Sequence, residues 1–261
     1  MSVFLNFLWS TALNFCFQIF CVKAVVVLPF FRFDVAGMKR TTLFITGTDT
    51  GVGKTTLTTL LTLHLRKRGV NAAALKPVCS GDRADARALY AAAGGALSLD
   101  EINPWHFRAP IAPLLAARRE RKRVATASVL AHVRAMQKRF EVVLTEGAGG
   151  LLSPLGENFD SRKLITALRA TPLVVCPNRL GAVNQVLLTL AALPRSASRR
   201  ARVVLMSPAK PDTAILTNAS LLAEFLDAQR IFCLPWLGGH FDPETAMKNS
   251  RLRRTLQSLA G

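Results

Sequence analysis

The chain has 261 residues, 50% of them hydrophobic, and a formal charge of +18 from 34 Lys and Arg against 16 Asp and Glu. That supplies apolar material for one substantial α/β domain. The charge alone does not make a nucleic-acid-binding protein: the arginine clusters at 118–123, 195–202 and 251–254 lack interleaved aromatics and read as solvated loops and helix ends. Cys16, Cys21, Cys79, Cys176 and Cys233 form no C-x-x-C pair and have no histidine at metal-ligand spacing, which argues against a Cys/His zinc site and for a reducing compartment. Cys176 and Cys233 lie in apolar runs and are expected to be buried free thiols.

Residues 1–37 stand apart. Lys23 is the first charged residue and the only one before Arg32. Three readings stay open: a start placed too far upstream, with Met38 the natural beginning; a membrane-spanning segment; or a targeting segment, a weak match because it lacks a basic leading region and a clear cleavage site. The first is favoured, and residues 38–261 then form the functional domain.

From residue 41 onward, strand-like runs at 42–46, 71–76, 141–145, 173–177, 202–206 and 231–235 alternate with helical patterns near 54–68, 83–93, 124–139, 161–170, 182–193, 217–229 and 244–258. Most of the strands are continuous apolar runs, which suits a parallel sheet covered on both faces. The alternation implies a doubly wound α/β fold with a mostly parallel sheet, whose ligands sit beyond the carboxyl ends of the strands.

After the first strand comes GTDTGVGKTT, a phosphate-binding loop whose first glycine, Gly47, stands one residue earlier than the usual G-x-x-x-x-G-K-[ST] spacing requires. Glycines let backbone N–H groups converge on phosphate, and the helix N-terminus adds its dipole. Lys54 would reach the β- and γ-phosphates and the Thr55 hydroxyl would ligate Mg²⁺. Lys76, in KPVCSGD, would project into the same crevice, with Asp82 and Asp85 as acidic candidates nearby. Glu146, in TEGAGG, has the Walker-B position at a strand tip, where a carboxylate helps to hold Mg²⁺. NRLGAVN at 178–184 and PWLGG at 235–239 follow later strands. An adenine could lie against Pro235 and Trp236, although ordinary packing would equally explain Trp236. The residues by themselves point to an ATP-and-Mg²⁺ protein with an extra lysine in the site.

TGTDTGVGKT, KPVCSG, EGAGG, LG-x-x-N and PWL, in this order, resemble the dethiobiotin synthetases over roughly residues 38–245. The lengthened loop is that family's form, and the resemblance also favours Met38 as the start. It implies a cytoplasmic homodimeric ligase that closes a ureido ring on 7,8-diaminononanoate with CO₂ and MgATP, through a carbamate and a carbamic–phosphoric anhydride. It implies Lys76 and Lys54 as catalytic residues, with Thr55, Asp85 and Glu146 toward the metal. It assigns the nucleotide to Gly51, Val52, Gly53, Lys54, Thr55 and Thr56, and to Glu146, Gly147, Ala148 and Gly149. Asp85, Pro235, Trp236, Leu237 and Glu244 complete the nucleotide set, and Thr50, Ser80 and Lys76 contact the substrate. The 180–184 loop would bind the substrate carboxylate near the dimer interface. Two departures stand out: Met206-Ser207 occupies the family's adenine-binding Asn-Asp positions, and Ala112-Pro113-Leu114 replaces a Ser-Pro-His run.

The chief alternative is a partitioning-type P-loop ATPase that binds DNA or membrane. It would carry a second lysine near the position of Asp49, and none is present. Small-molecule substrates are therefore expected and nucleic acid is not. A membrane partner is expected only if residues 1–37 belong to the native chain.

Overall fold

A computed structural model describes residues 40–261. The three readings of residues 1–37 fall outside the described residues. The first half of the chain runs β1 (Thr41–Gly47), α1 (Lys54–Lys67), β2 (Ala72–Leu75), β3 (Val78–Ser80), α2 (Ala84–Ala93), α3 (Leu99–Ile102), β4 (Trp105–Phe107), α4 (Pro113–Arg119), α5 (Thr126–Arg139) and β5 (Val142–Glu146). The second half runs α6 (Ser161–Leu168), β6 (Thr171–Pro177), α7 (Ala182–Ala192), α8 (Arg195–Arg200), β7 (Arg202–Met206), α9 (Thr213–Leu222), β8 (Ile231–Leu234), α10 (Pro243–Ala246) and α11 (Ser250–Ala260).

Six strands form one sheet in the order β2-β5-β1-β6-β7-β8, and every pairing in it is parallel. β1 sits between β5 and β6, so the chain reverses its direction of travel across the sheet there, at the switch point where doubly wound sheets bind ligands. Leu43, Phe44 and Ile45 on β1 are fully buried, as are Leu173, Val174 and Val175 on β6, because helices cover both faces. Burying each such side chain stabilises the fold by roughly 1.5–3 kcal/mol. The ladder runs past the strand ends: Thr48 N–H donates to the Val175 carbonyl (3.0 Å), Gly147 N–H to Ile45 (2.9 Å), and Ser207 N–H to Leu234 (3.0 Å). These bonds hold the loops after β1, β5 and β7 along one edge.

The expected alternation is present, with local corrections. The helix expected at 217–229 is α9, which ends earlier, at Leu222. It also starts earlier, at Thr213, because the Asp212 carboxylate accepts from Ile215 N–H at 2.9 Å. The single helix expected at 244–258 is two, because Asn249 accepts from Arg251 and Leu252 N–H and starts α11 afresh. The basic run at 195–202 is largely the short helix α8. Cys233 is exposed, contrary to expectation, because β8 is an edge strand; Cys79 and Cys176 are buried.

A small second sheet, β3 beside β4, was not expected from the sequence. Three-residue strands carry too little periodicity to be read. Its registers Val78↔Trp105 and Ser80↔Phe107 set the wall facing the phosphate loop.

Candidate active site

The loop between β1 and α1 owes its shape to glycine. Gly51 (φ 71°) and Gly53 (φ 99°) adopt the left-handed region that side chains disfavour. A methyl group on Gly47 would lie 2.6 Å from Val52 Cγ2, so the loop closes on itself too tightly for alanine there. Gly53 is the N-cap of α1 and offers no side-chain acceptor, and no acidic residue occupies the first turn. The first N–H groups of a 14-residue helix are thus left for an anion.

Lys54, only 6% exposed, donates from Nζ to the Asp49 carbonyl at 2.7 Å. Burial, and then the neighbouring Lys76 ammonium, push its pKa down to about 8, against a weaker upward pull from Glu146 and Asp85. An incoming polyphosphate would relieve both penalties.

The second centre is Glu146, at the end of β5 and 1% exposed. Its Oε1 accepts from Lys76 Nζ and from Thr55 Oγ1, each at 2.7 Å. Lys76 also donates to Asp85 Oδ2. Burial alone would lower the Lys76 pKa; Glu146 and Asp85 outweigh it and hold the ammonium charged well above its usual range. Burial likewise opposes ionisation of Asp85, and Lys76 more than compensates, keeping that carboxyl below the ordinary range. Asp82 instead faces Arg87 (2.5 Å), so Asp85 is the acid that meets Lys76. The backbone at Lys76 is pinned as well: its N–H donates to the Ile102 carbonyl (2.9 Å) and its carbonyl accepts from Asn103 Nδ2 (2.7 Å).

Glu146 Oε2 is buried without a hydrogen-bond partner among the described residues. A buried, orphaned carboxylate oxygen is costly unless a cation completes it. Thr55, Asp85 and Glu146 are hard oxygen donors, and Mg²⁺ in phosphate sites uses one or two carboxylates and takes its remaining ligands from water and substrate. No cluster of three or more His, Cys, Asp or Glu suited to a metal occurs among the described residues, so the donor set fits that arrangement and not an all-protein cage.

Lys54, Thr55, Lys76 and Asp85 line a cleft of about 710 Å³; Glu146 is not itself part of the lining and meets it through its bonds to Lys76 and Thr55. Thr50, Gly51, Gly53, Thr55 and Thr56 form its loop side, Ala148 and Gly149 its back, and Lys76, Ser80 and Asp85 its far wall. Val52 is buried beneath the loop and does not line the cleft. Gly147 has no room for a side chain, since a methyl there would run into Ser161. The sequence reading missed Cys79, Pro110, Ile111, Ser153 and Pro154 as lining residues, and it named Ala112 and Pro113 only as departures from the family pattern. Ser80 Oγ donates to the Ile111 carbonyl at 2.5 Å, which ties this wall together.

Two expected nucleotide elements do not line this cleft. Pro235, Trp236 and Leu237 follow β8 at the same sheet edge but do not line the cleft, and Trp236 is 52% exposed. Glu244 is not brought to the phosphate loop at all: it pairs with Lys67, in the last turn of α1. Lys67 stands thirteen positions after Lys54, about 20 Å along the helix axis. Met206 approaches the loop itself, its Cε 3.0 Å from where a Gly53 methyl would stand. At the end of β6, Asn218 Nδ2 donates to Asn178 Oδ1 (2.8 Å) and to the Arg179 carbonyl (3.0 Å), bracing the 180–184 loop on which Leu180 is 85% exposed.

A parallel sheet with a glycine loop and lysine at its switch point, and a carboxylate on the adjacent strand, defines a P-loop nucleotide-binding protein. The ParA family ATPase from Chlorobium tepidum shares this fold, with a TM-score of 0.51 at 13% identity over 85% of this chain and 99% of that one. A family model described as an AAA domain matches residues 41–242. An ATP-dependent dethiobiotin synthetase from an Anaeromyxobacter species is 46% identical over 58% of this chain and 70% of that protein. Another, from Akkermansia muciniphila, is 40% identical over 70% of this chain and 87% of that protein, and one from Anaeromyxobacter dehalogenans is 38% identical over 84% and 96%. The chain belongs to the dethiobiotin synthetase family of P-loop, ATP-dependent ligases.

Proposed function

We propose that the chain closes the ureido ring of dethiobiotin from 7,8-diaminononanoate, CO₂ and ATP, releasing ADP and phosphate. The observation that carries this reading is the pair of lysines, Lys54 and Lys76, buried at one cleft with Glu146, Asp85 and Thr55. The reaction brings together two anions, a carbamate and a triphosphate, and their repulsion must be screened in a site of low dielectric.

One amine captures CO₂ and loses a proton to give a carbamate. A carbamate oxygen attacks the γ-phosphorus, and the bond to ADP breaks. The second amine attacks the carbonyl carbon of the mixed anhydride, and phosphate leaves and takes up the proton that the new ureido nitrogen sheds. Lys54, with the loop N–H groups, binds and neutralises the transferring phosphoryl. Lys76 stabilises the carbamate and the developing charge between the two anions. Thr50 and Ser80 position the substrate. Thr55, Asp85 and Glu146 would hold Mg²⁺, which supplies charge neutralisation on the phosphates when bound. The nucleotide lies along residues 51–56 and 146–149 with its base toward Pro235–Leu237; Glu244 has no part in this scheme.

The exposed side chains of Leu180, Leu188 and Leu216 support pairing with a second copy beside the 180–184 loop. We place the enzyme in the cytoplasm; no helix among the described residues is long and apolar enough to cross a membrane.

The test is carbon NMR of the full-length protein with diaminononanoate, MgATP and carbon-13 bicarbonate. A ureido carbonyl signal matched by ADP is expected. Nucleotide binding without that signal would overturn the reading. Repeating the assay with GTP and CTP tests the consequence of Met206-Ser207: those side chains offer adenine no amide pair, so discrimination among bases is expected to be weak.

A further inference from the structure

The far end of α1 carries a second concave site that the proposed chemistry does not use. Three leucines of α11, Leu252, Leu256 and Leu259, are fully buried and anchor that helix. Their spacing turns Arg253 and Gln257 toward the last turns of α1, where Gln257 Oε1 lies 3.2 Å from Nε2 of the buried His64. Between α1, α10 and α11 lies a groove of about 780 Å³, lined by His64, Lys67, Arg68, Glu244, Lys248, Arg253, Arg254 and Gln257 among others.

Five cationic side chains line this groove against one carboxylate. Glu244 is taken by Lys67. Arg253 donates to the carbonyls of Met247 (2.7 Å) and Lys248 (2.9 Å), which fixes its guanidinium without neutralising it. Among the described residues, Arg68, Lys248 and Arg254 form no ion pair, although Asp242 lies within electrostatic reach of Lys248. The negative end of a helix dipole amounts to roughly half a charge, which accounts for one of these cations and not for five. Burial lowers the pKa of His64, opposed by its hydrogen bond to Gln257 Oε1 and aided by the nearby Arg68 and Arg253.

We propose that this groove binds a small soluble polyanion of the di- or triphosphate class, at a site separate from the phosphate loop. Clustered, unpaired guanidinium and ammonium groups match closely spaced phosphate oxygens, and guanidinium adds a fork suited to them. Concavity argues for a small ligand: the volume is that of an ordinary small-molecule pocket. A duplex would more naturally be met by a basic stripe along a surface. The inference does not rest on the proposed ring closure.

The experiment is a calorimetric titration of the full-length protein with inorganic tripolyphosphate, after the phosphate loop has been filled with a saturating, non-hydrolysable MgATP analogue. A further saturable binding event is expected. It should weaken about tenfold or more in the Arg68→Ala/Arg254→Ala double variant, and fade as salt rises. Affinity for the ATP analogue should be unchanged in that variant. Lys248→Gln provides a second, milder variant with a smaller loss in the same direction, should the double variant fold poorly. Absence of the second event, equal binding by both variants and the wild type, or a short DNA duplex binding through these residues where tripolyphosphate does not, would each overturn the proposal.

Discussion

The two ends of α1 handle crowded positive charge in opposite ways. At its N-terminus Lys54 and Lys76 are buried, and Lys76 is matched to Glu146 and Asp85 within a closed network. At its C-terminus Lys67, Arg68, Arg253 and Arg254 stay at the surface, and among the described residues only Lys67 has a carboxylate. Burial makes the difference. A charge removed from water must be paired or must shift its pKa, so the site end had to evolve partners; an exposed charge is screened and can wait for a ligand.

The contrast can be broken most forcefully at Lys76. Lys76→Met should destabilise the ligand-free protein by about 3–5 kcal/mol, because Glu146 would be left buried without its cation. Denaturant unfolding reads this directly. Adding Mg²⁺ should restore part of the loss in the variant more than in the wild type, because the divalent ion then has no ammonium to displace. An unchanged midpoint would mean that the network is not what stabilises this end.

Lys54→Met should act in the other direction. The folded-state pKa of about 8 lies below the ordinary 10.5, so at neutral pH the charged lysine costs up to about 3 kcal/mol. The variant should therefore be more stable without ligand while losing nucleotide affinity. In the wild type the unfolded chain binds the extra proton between pH 8 and 10.5, so this group makes stability rise with pH across that window. Lys76 has the opposite sign: its folded pKa is raised, so its contribution is fully present below the unfolded value near 10.5 and is lost as pH climbs through the folded value. Thermal melts of the wild type and both variants from pH 7 to 11 should show the Lys54 rise up to about pH 10.5, with any Lys76 loss beginning only above it.

Away from both ends, Asp212→Ala removes the acceptor that starts α9 and should cost about 1 kcal/mol. The smallest effect is expected at the other end of α1. Glu244→Gln breaks a pair whose side chains are 46% and 61% exposed, so stability should change by less than about 1 kcal/mol. ATP affinity should not change. A large loss of ATP affinity would instead show that Glu244 reaches the nucleotide.

Much of this was legible in the chain. The phosphate loop declares itself because its glycines, lysine and threonine must be consecutive to wrap one phosphate chain, so the chemistry is local. The parallel strands were readable because burial on both faces demands unbroken apolar runs, and Glu146 because it ends such a run. Caps drew some boundaries that periodicity missed, at Asp212 and Asn249. Tertiary structure alone decided the rest. Whether Lys76 would sit in solvent or beside Glu146, 70 residues later, depends on β2 and β5 being neighbours. Whether Asp82 or Asp85 would meet Lys76 depends on the turn that enters α2. The wall made by Ser80 and Ile111 needs two three-residue strands to find each other, and Glu244 was drawn to Lys67 by the way α10 meets the end of α1. Sequence patterns report what a residue does to its nearest neighbours and to water. Pairing between distant carboxylates and ammonium groups is set only when packing decides which of them share the same low-dielectric space.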